Sequence, residues 1–161
     1  MMKKILIIGC PGSGKSTLAR KLQARTGLPL FHLDMLYWNA DKTTVTRDVF
    51  DERLGEVLAR DEWIIDGNYQ RTMEIRLQAC DTVLFLDYPT DVCIDGIFSR
   101  RGKPHDDLLW IEDDVDEEFL SFVKEYSIAV RPSVLELLDR YFDKNILVFH
   151  SRDEAEEWLA R

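Results

Sequence analysis

The chain of 161 residues is short of basic charge, short of cysteine and without a long apolar run. Each shortage closes off a class of protein. Lys and Arg number 21 against 30 Asp and Glu, a net charge of −9. A surface of that sign is repelled by a phosphate backbone, which argues against direct nucleic-acid binding. Cys10, Cys80 and Cys93 are odd in number and have no short paired spacing. That argues against a disulfide framework or a zinc site and fits a reducing compartment. His32, His105 and His150 are equally scattered. No apolar segment approaches the ~18 residues of a membrane span, so no membrane association is expected. Met1 to Lys4 followed by Ile5 to Ile8 looks like the start of an export signal, but Gly9 ends the run and charges follow. A cytoplasmic location is therefore expected.

What is present is enough apolar residue (45%) for a real core, without repeats or linker-like stretches. One domain over 1–161 is expected, as a monomer or homodimer. Apolar runs predict strands over 3–9, 28–33, 63–66, 82–86 and 145–149. Helical spacing predicts helices over 16–25, 72–79, 91–98, 116–130 and 132–142, with another around Val49 to Leu58. Pro132 fits a first helical turn, and Ser151 with Glu154 forms a capping-box pair opening a last helix. Continuous apolar strands alternating with helices predict a three-layer α/β/α sandwich around a five-stranded, mostly parallel sheet. Positions 106–118 hold eight acidic residues and no basic one, which reads as a solvated segment.

One stretch carries specific chemistry. Gly9-Cys10-Pro11-Gly12-Ser13-Gly14-Lys15-Ser16 satisfies G-x-x-x-x-G-K-[ST] between a strand and a helix, the P-loop pattern and its required context. Glycines let backbone N–H groups converge on a phosphate chain, and the following helix N-terminus adds positive potential. Gly9, Gly12, Ser13, Gly14, Lys15, Ser16 and Thr17 are thus the expected nucleotide contacts. Lys15 would neutralise the β and γ phosphates of ATP, and the Ser16 hydroxyl would ligate Mg²⁺. Cys10, at a variable position, reads as a small space-filling residue.

Nucleotide binding does not name a reaction. The chain is short for a motor and lacks the guanine-reading N-K-x-D, which leaves phosphoryl transfer to a second molecule. Trp63 to Tyr69 (WIIDGNY) resembles the third-strand motif of adenylate kinases and related nucleoside monophosphate kinases. Together with GCPGSGKSTLA, H-L-D-x-L-Y-W at 32–38 and L-D-x-P at 86–89, it is similar over most of the chain to the bacterial DNA topology modulation proteins, a P-loop kinase-like family. The resemblance implies a nucleotide-binding fold with an acceptor-binding insertion at about 35–61 and a short lid at about 99–115. It implies transfer of the γ-phosphate of ATP to a small acceptor, a nucleoside monophosphate first.

Asp66 ends a strand at the ligand-binding edge of such a sheet, and the resemblance implies that it holds Mg²⁺ through water; Asp87 competes for that role. Asp34 either contacts the acceptor or caps a helix. Tyr37 and Trp38 either stack on the acceptor or pack a hinge. Arg71 lies one residue out of register with the arginine that grips the acceptor phosphate in adenylate kinases, and Arg76 is its alternative. Arg47 and Arg53 are further clamp candidates. Arg100 and Arg101, with Arg131, are expected as lid arginines that stabilise charge on the transferring group. A small-molecule kinase of shikimate or gluconate type, using Asp34 against a hydroxyl, is a second reading. A nucleotide-binding regulatory protein with weak ATPase activity is a third.

Overall fold

The computed structural model describes residues 2–100 and 116–161. In chain order it comprises β1 (Lys4–Gly9), α1 (Lys15–Thr26), β2 (Leu30–His32), α2 (Leu33–Tyr37), α3 (Arg47–Leu58), β3 (Trp63–Asp66) and α4 (Gln70–Ala79). There follow β4 (Thr82–Leu86), α5 (Thr90–Arg100), α6 (Glu117–Ala129), α7 (Arg131–Arg140), β5 (Asn145–Phe149) and α8 (Arg152–Ala160). The sheet order is β2-β3-β1-β4-β5, and every pairing is parallel.

Alternation along β1 explains the layers. Ile5 and Ile7 face a core formed with α1, α5, α6 and α8, through Leu18, Leu22, Cys93, Val123 and Ala155. Leu6 and Ile8 face the other side, against Leu33, Phe50, Met73 and Val134 from α2, α3, α4 and α7. A strand buried on both faces needs apolar residues at every position, which is why β1 reads as an unbroken run. The three-layer α/β/α sandwich is therefore the observed fold.

Register places the site. Ile7 and His32 both lie opposite Asp66, and Gly9 lies opposite Leu86. The C-terminal ends of four strands thus meet where β1 turns into α1, at the edge where open parallel sheets bind ligands.

Helix ends follow their local chemistry. Gly27, at φ 75°, closes α1 and its N–H returns to the Gln23 carbonyl. The Thr46 hydroxyl accepts from the Val49 N–H at the start of α3. Ser151 accepts from Glu154 N–H while the Glu154 carboxylate accepts from His150 N–H, a reciprocal cap on α8. One expectation differs. The strand predicted over 28–33 pairs only through Leu30, Phe31 and His32, and Leu33 already belongs to α2. As an edge strand β2 has a single partner, and Leu33 is better buried by turning under Gly67, where a Cβ would meet its side chain at 2.9 Å.

Candidate active site

Between β1 and α1 the chain makes the cradle that the glycines foreshadow. Gly12 (φ 86°) and Gly14 (φ 97°) adopt left-handed backbone, a region open to glycine at little cost. At Gly12 there is a second reason: a Cβ would lie 2.1 Å from the Cys93 carbonyl oxygen on α5. The approach is mutual, since a Cβ on Gly96 would lie 2.0 Å from the Gly12 carbonyl oxygen. The Ser13 N–H closes the turn onto the Cys10 carbonyl at 3.0 Å. The buried Ser13 hydroxyl has no partner among the described residues. Lys15 folds back, its Nζ donating to the carbonyls of Gly9 (3.0 Å) and Cys10 (3.3 Å). Burial lowers its pKa below that of an ordinary lysine, while Asp66 and Asp34 oppose the shift. Ser16 and Thr17 follow in the first turn of α1. Cys10 is buried against α5 and hydrogen bonds Cys93 there; that bond and burial push its thiol pKa up.

The carboxylates are each occupied. Asp66, 5% exposed, takes a hydrogen bond from His32 Nδ1 at 2.8 Å. Asp34 lies in α2 and accepts a close hydrogen bond from the Tyr69 hydroxyl. Asp87 forms a two-pronged pair with Arg131, Nε to Oδ1 and Nη2 to Oδ2, both at 2.8 Å. Strand adjacency cannot separate Asp66 from Asp87, because β1 pairs with both β3 and β4. Their surroundings differ: the Asp66 charge opposes the fall in the Lys15 pKa, whereas Asp87 is paired with Arg131. Two residues offered by the sequence for separate tasks, lid and metal, neutralise one another.

Beside the cradle lies a cavity of about 520 Å³ lined by Tyr37, Val45, Arg47, Phe50, Tyr69, Gln70, Arg71 and Thr72. Its inner wall is aromatic. Tyr37 packs edge-on against Phe50 (5.9 Å between ring centres) and Tyr69 (5.3 Å), and Trp38 lies edge-on to Tyr37 at 5.4 Å. The Trp38 side chain also hydrogen bonds the Tyr69 hydroxyl. Burial, with the Asp34 charge beside it, pushes the Tyr69 pKa upward, so the phenol stays protonated. Arg71 reaches the rim, where it pairs with Asp51 of α3 at 2.7 and 3.2 Å. Arg53 instead donates to the Leu36 carbonyl, tying α3 to α2.

Arg76 does not present itself to the cavity. It is fully buried and donates to the carbonyls of Gly67 (3.0 Å), Asn68 and Tyr69 (3.0 Å). Burial pulls its pKa down to about 9, which leaves it charged at neutral pH. Arg100 ends α5; Arg101 and positions 101–115 of the expected lid lie outside the described residues.

Four residues complete the site without having been singled out in the sequence. His32 holds Asp66, and Tyr69 holds Asp34. Asn68 pairs its side-chain amide with both the N–H and the carbonyl of Gly9, tethering the β3–α4 turn to the start of the cradle. Arg152 donates to the carbonyls of Ser13 (2.8 Å) and Gly12 (3.1 Å). His32, Asn68 and Tyr69 do stand within the H-L-D-x-L-Y-W and WIIDGNY motifs, whereas Arg152 belongs to no such motif. Outside the glycine-rich loop its approach leaves a trace only at Gly96, where a Cβ would lie 3.1 Å from Arg152 Nη2.

No family model matches the chain. It is 28% identical over 110 residues to an adenylate kinase of Thermotoga maritima, an alignment covering 64% of this chain and 49% of that protein. The chain thus spans about half the length of that relative. It is 32% identical over 112 residues to the Bacillus subtilis uncharacterized protein YqaC, covering 64% and 61% of the two. An adenylate kinase of Mycolicibacterium vanbaalenii aligns along nearly the whole length, 98% of this chain and 96% of its own, at 25% identity. In three dimensions the chain superposes on a crystal structure of shikimate kinase from Bacteroides thetaiotaomicron with a TM-score of 0.61, over 100% and 96% of the two chains at 18% identity. The fold is that of the P-loop kinases, and the sequence likenesses support a P-loop kinase-like protein.

Proposed function

We propose that the chain is an ATP-dependent phosphotransferase that moves the γ-phosphate to a small acceptor held in the aromatic cavity, a nucleoside monophosphate first. The observation that carries this reading is the adjacency of two unlike sites. A backbone cradle for polyphosphate is tied through Asn68 to a turn whose next residue, Tyr69, forms the wall of a ring-lined cavity rimmed by Arg47 and Arg71. Aromatic faces suit a base and arginines suit a phosphate.

Catalysis in such a site rests on positioning and charge neutralisation. Lys15 would leave the carbonyls of Gly9 and Cys10 for the β and γ phosphates. Arg100, Arg101 and Arg131 would supply further positive charge, Arg131 on release from Asp87. Ser16 and Asp66 are hard oxygen donors of the kind Mg²⁺ takes. They are the residues that would hold the ion; among the described residues no cluster of three His, Cys, Asp or Glu is arranged to hold a metal by itself. When bound it neutralises charge developing on the transferring group.

Asp34 favours the second reading. A carboxylate that already accepts from the Tyr69 hydroxyl is equipped to accept from an acceptor hydroxyl, as an enzyme of shikimate or gluconate type requires, and would repel an acceptor phosphate. ATP consumption with AMP, CMP, dTMP, shikimate and gluconate decides between them. A strong stimulation by one nucleotide supports the first reading, and stimulation by a hydroxy acid alone replaces it with the second. Slow hydrolysis that no acceptor accelerates would abandon the kinase for a nucleotide-binding regulatory protein.

A further inference from the structure

The Ser13–Gly14 peptide is the middle of the cradle, and its orientation is set from outside the motif. Its carbonyl accepts from Arg152 Nη1 at 2.8 Å, and the preceding carbonyl, of Gly12, accepts from Arg152 Nη2 at 3.1 Å. A trans peptide places its N–H opposite its C=O, and the described chain has no cis bond. Holding the Ser13 carbonyl on Arg152 therefore turns the Gly14 N–H to the far side, into the loop. The guanidinium fits there because position 14 has no side chain: a Cβ on Gly14 would lie 2.7 Å from Arg152 Nη1. Arg152 is itself held, at the first turn of α8 behind the Ser151–Glu154 cap and with its guanidinium carbon 5.6 Å from the centre of the Tyr88 ring.

We propose that Arg152 is a positioning residue of the nucleotide site, its guanidinium fork setting the Gly12 and Ser13 peptide planes so that the loop meets a polyphosphate already arranged. This rests on the reading that the loop binds nucleoside triphosphates. It assigns to α8, some 140 residues from the loop in sequence, a share of ATP affinity that the motif alone would claim. A lysine cannot substitute fully, because its compact ammonium lacks the rigid, parallel donors with which the guanidinium plane fixes two successive peptide planes.

The test is binding of a fluorescent ADP analogue to the full chain, with KM for ATP and for the acceptor measured in parallel. Arg152→Ala is expected to weaken nucleotide binding about tenfold, the scale of a lost charge-assisted bond pair, and to raise KM for ATP while leaving that of the acceptor unchanged. Arg152→Lys should fall between. Lys21→Ala removes an exposed ion pair, to Glu156, that also joins α1 to α8, and should bind as the wild type does. Unaltered binding by Arg152→Ala overturns the proposal, as does an equal loss in Lys21→Ala, which would make the effect one of α8 docking. Wild-type affinity in Arg152→Lys would overturn the fork. Should Arg152→Ala fail to fold, Arg152→Gln carries the same comparison. A wild-type chain that binds no nucleotide removes the parent reading and this one together; wild-type binding with an indifferent Arg152 removes this one alone.

Discussion

The glycine-rich cradle and the aromatic cavity share one edge of one sheet, yet they are built in opposite ways. The cradle is a contiguous stretch whose working groups are backbone amides; the spacing of its glycines permits its shape, and the Arg152 contacts to the Gly12 and Ser13 carbonyls come from far along the chain. The cavity draws side chains from α2, the loop before α3, α3, the β3–α4 turn and α4, and its chemistry depends on what each of those side chains has already found as a partner. Backbone chemistry can be read from composition and spacing, because any chain that bends that way presents the same N–H groups. Side-chain chemistry cannot, since an arginine is a ligand clamp only if the fold leaves its head available.

The largest expected effect lies on the cradle side. Lys15→Met keeps the apolar stem and removes the charge, and should weaken triphosphate binding or turnover at least about 100-fold, as loss of a donor aimed at developing charge does. Titration calorimetry with ATP checks the binding arm. The same variant should be no less stable than the wild type near neutral pH. Burial lowers the Lys15 pKa in the fold, so the folded state bears a penalty for the ammonium that is complete below that lowered pKa. Between it and the ordinary lysine pKa the unfolded chain binds more protons, and wild-type stability rises with pH. The margin of Lys15→Met over the wild type should therefore shrink as pH climbs through this window, which urea unfolding at several pH values would show. A margin that widens instead would place Lys15 in a stabilising ion pair.

The same contrast explains what could be read in advance. Strands 63–66, 82–86 and 145–149 coincide with the observed β3, β4 and β5, because strands buried or half-buried in a parallel sheet are continuous apolar runs with sharp polar ends. The cap on α8 was equally plain, since Ser151 and Glu154 are local partners. The second strand is shorter than its apolar run, because the end of an edge strand depends on its neighbour, not on hydrophobicity. Asp66 and Asp34 could be proposed from position, but His32 and Tyr69, which hold them, come from 34 and 35 residues away. Arg71 and Arg76 are alike as letters. One sits on α4 facing Asp51 across a gap, and the other points under the Gly67–Tyr69 turn.

Arg76 breaks the comparison from the other side, because an arginine sought for the acceptor serves as a brace for the wall between the two sites. Arg76→Met removes its hydrogen bonds to the carbonyls of Gly67, Asn68 and Tyr69 from a buried turn. A loss of about 3 kcal/mol in stability is expected, reduced from the sum of the bonds by relief of the buried charge. Urea unfolding measures it. Full stability with a selective loss of acceptor binding would return Arg76 to the role of clamp.

The smallest effect expected is at Arg71, and it decides whether the cavity has a clamp at all. The side chain is exposed and paired with an equally exposed Asp51, so neither contributes much to the fold. Arg71→Ala should leave the thermal midpoint where it is. If the cavity takes a phosphate, the same change raises the acceptor KM about tenfold, the worth of a charge-assisted pair, with KM for ATP unmoved. Asp51→Asn makes the complementary prediction, since releasing Arg71 from its carboxylate should lower the acceptor KM. A clamp therefore requires the two variants to move in opposite directions, whereas a structural tie between α3 and α4 would make them move together. Parallel losses in Arg71→Ala and Asp51→Asn would strip the rim of its anion site and leave Asp34, with its hydroxyl partner, as the group that chooses the acceptor.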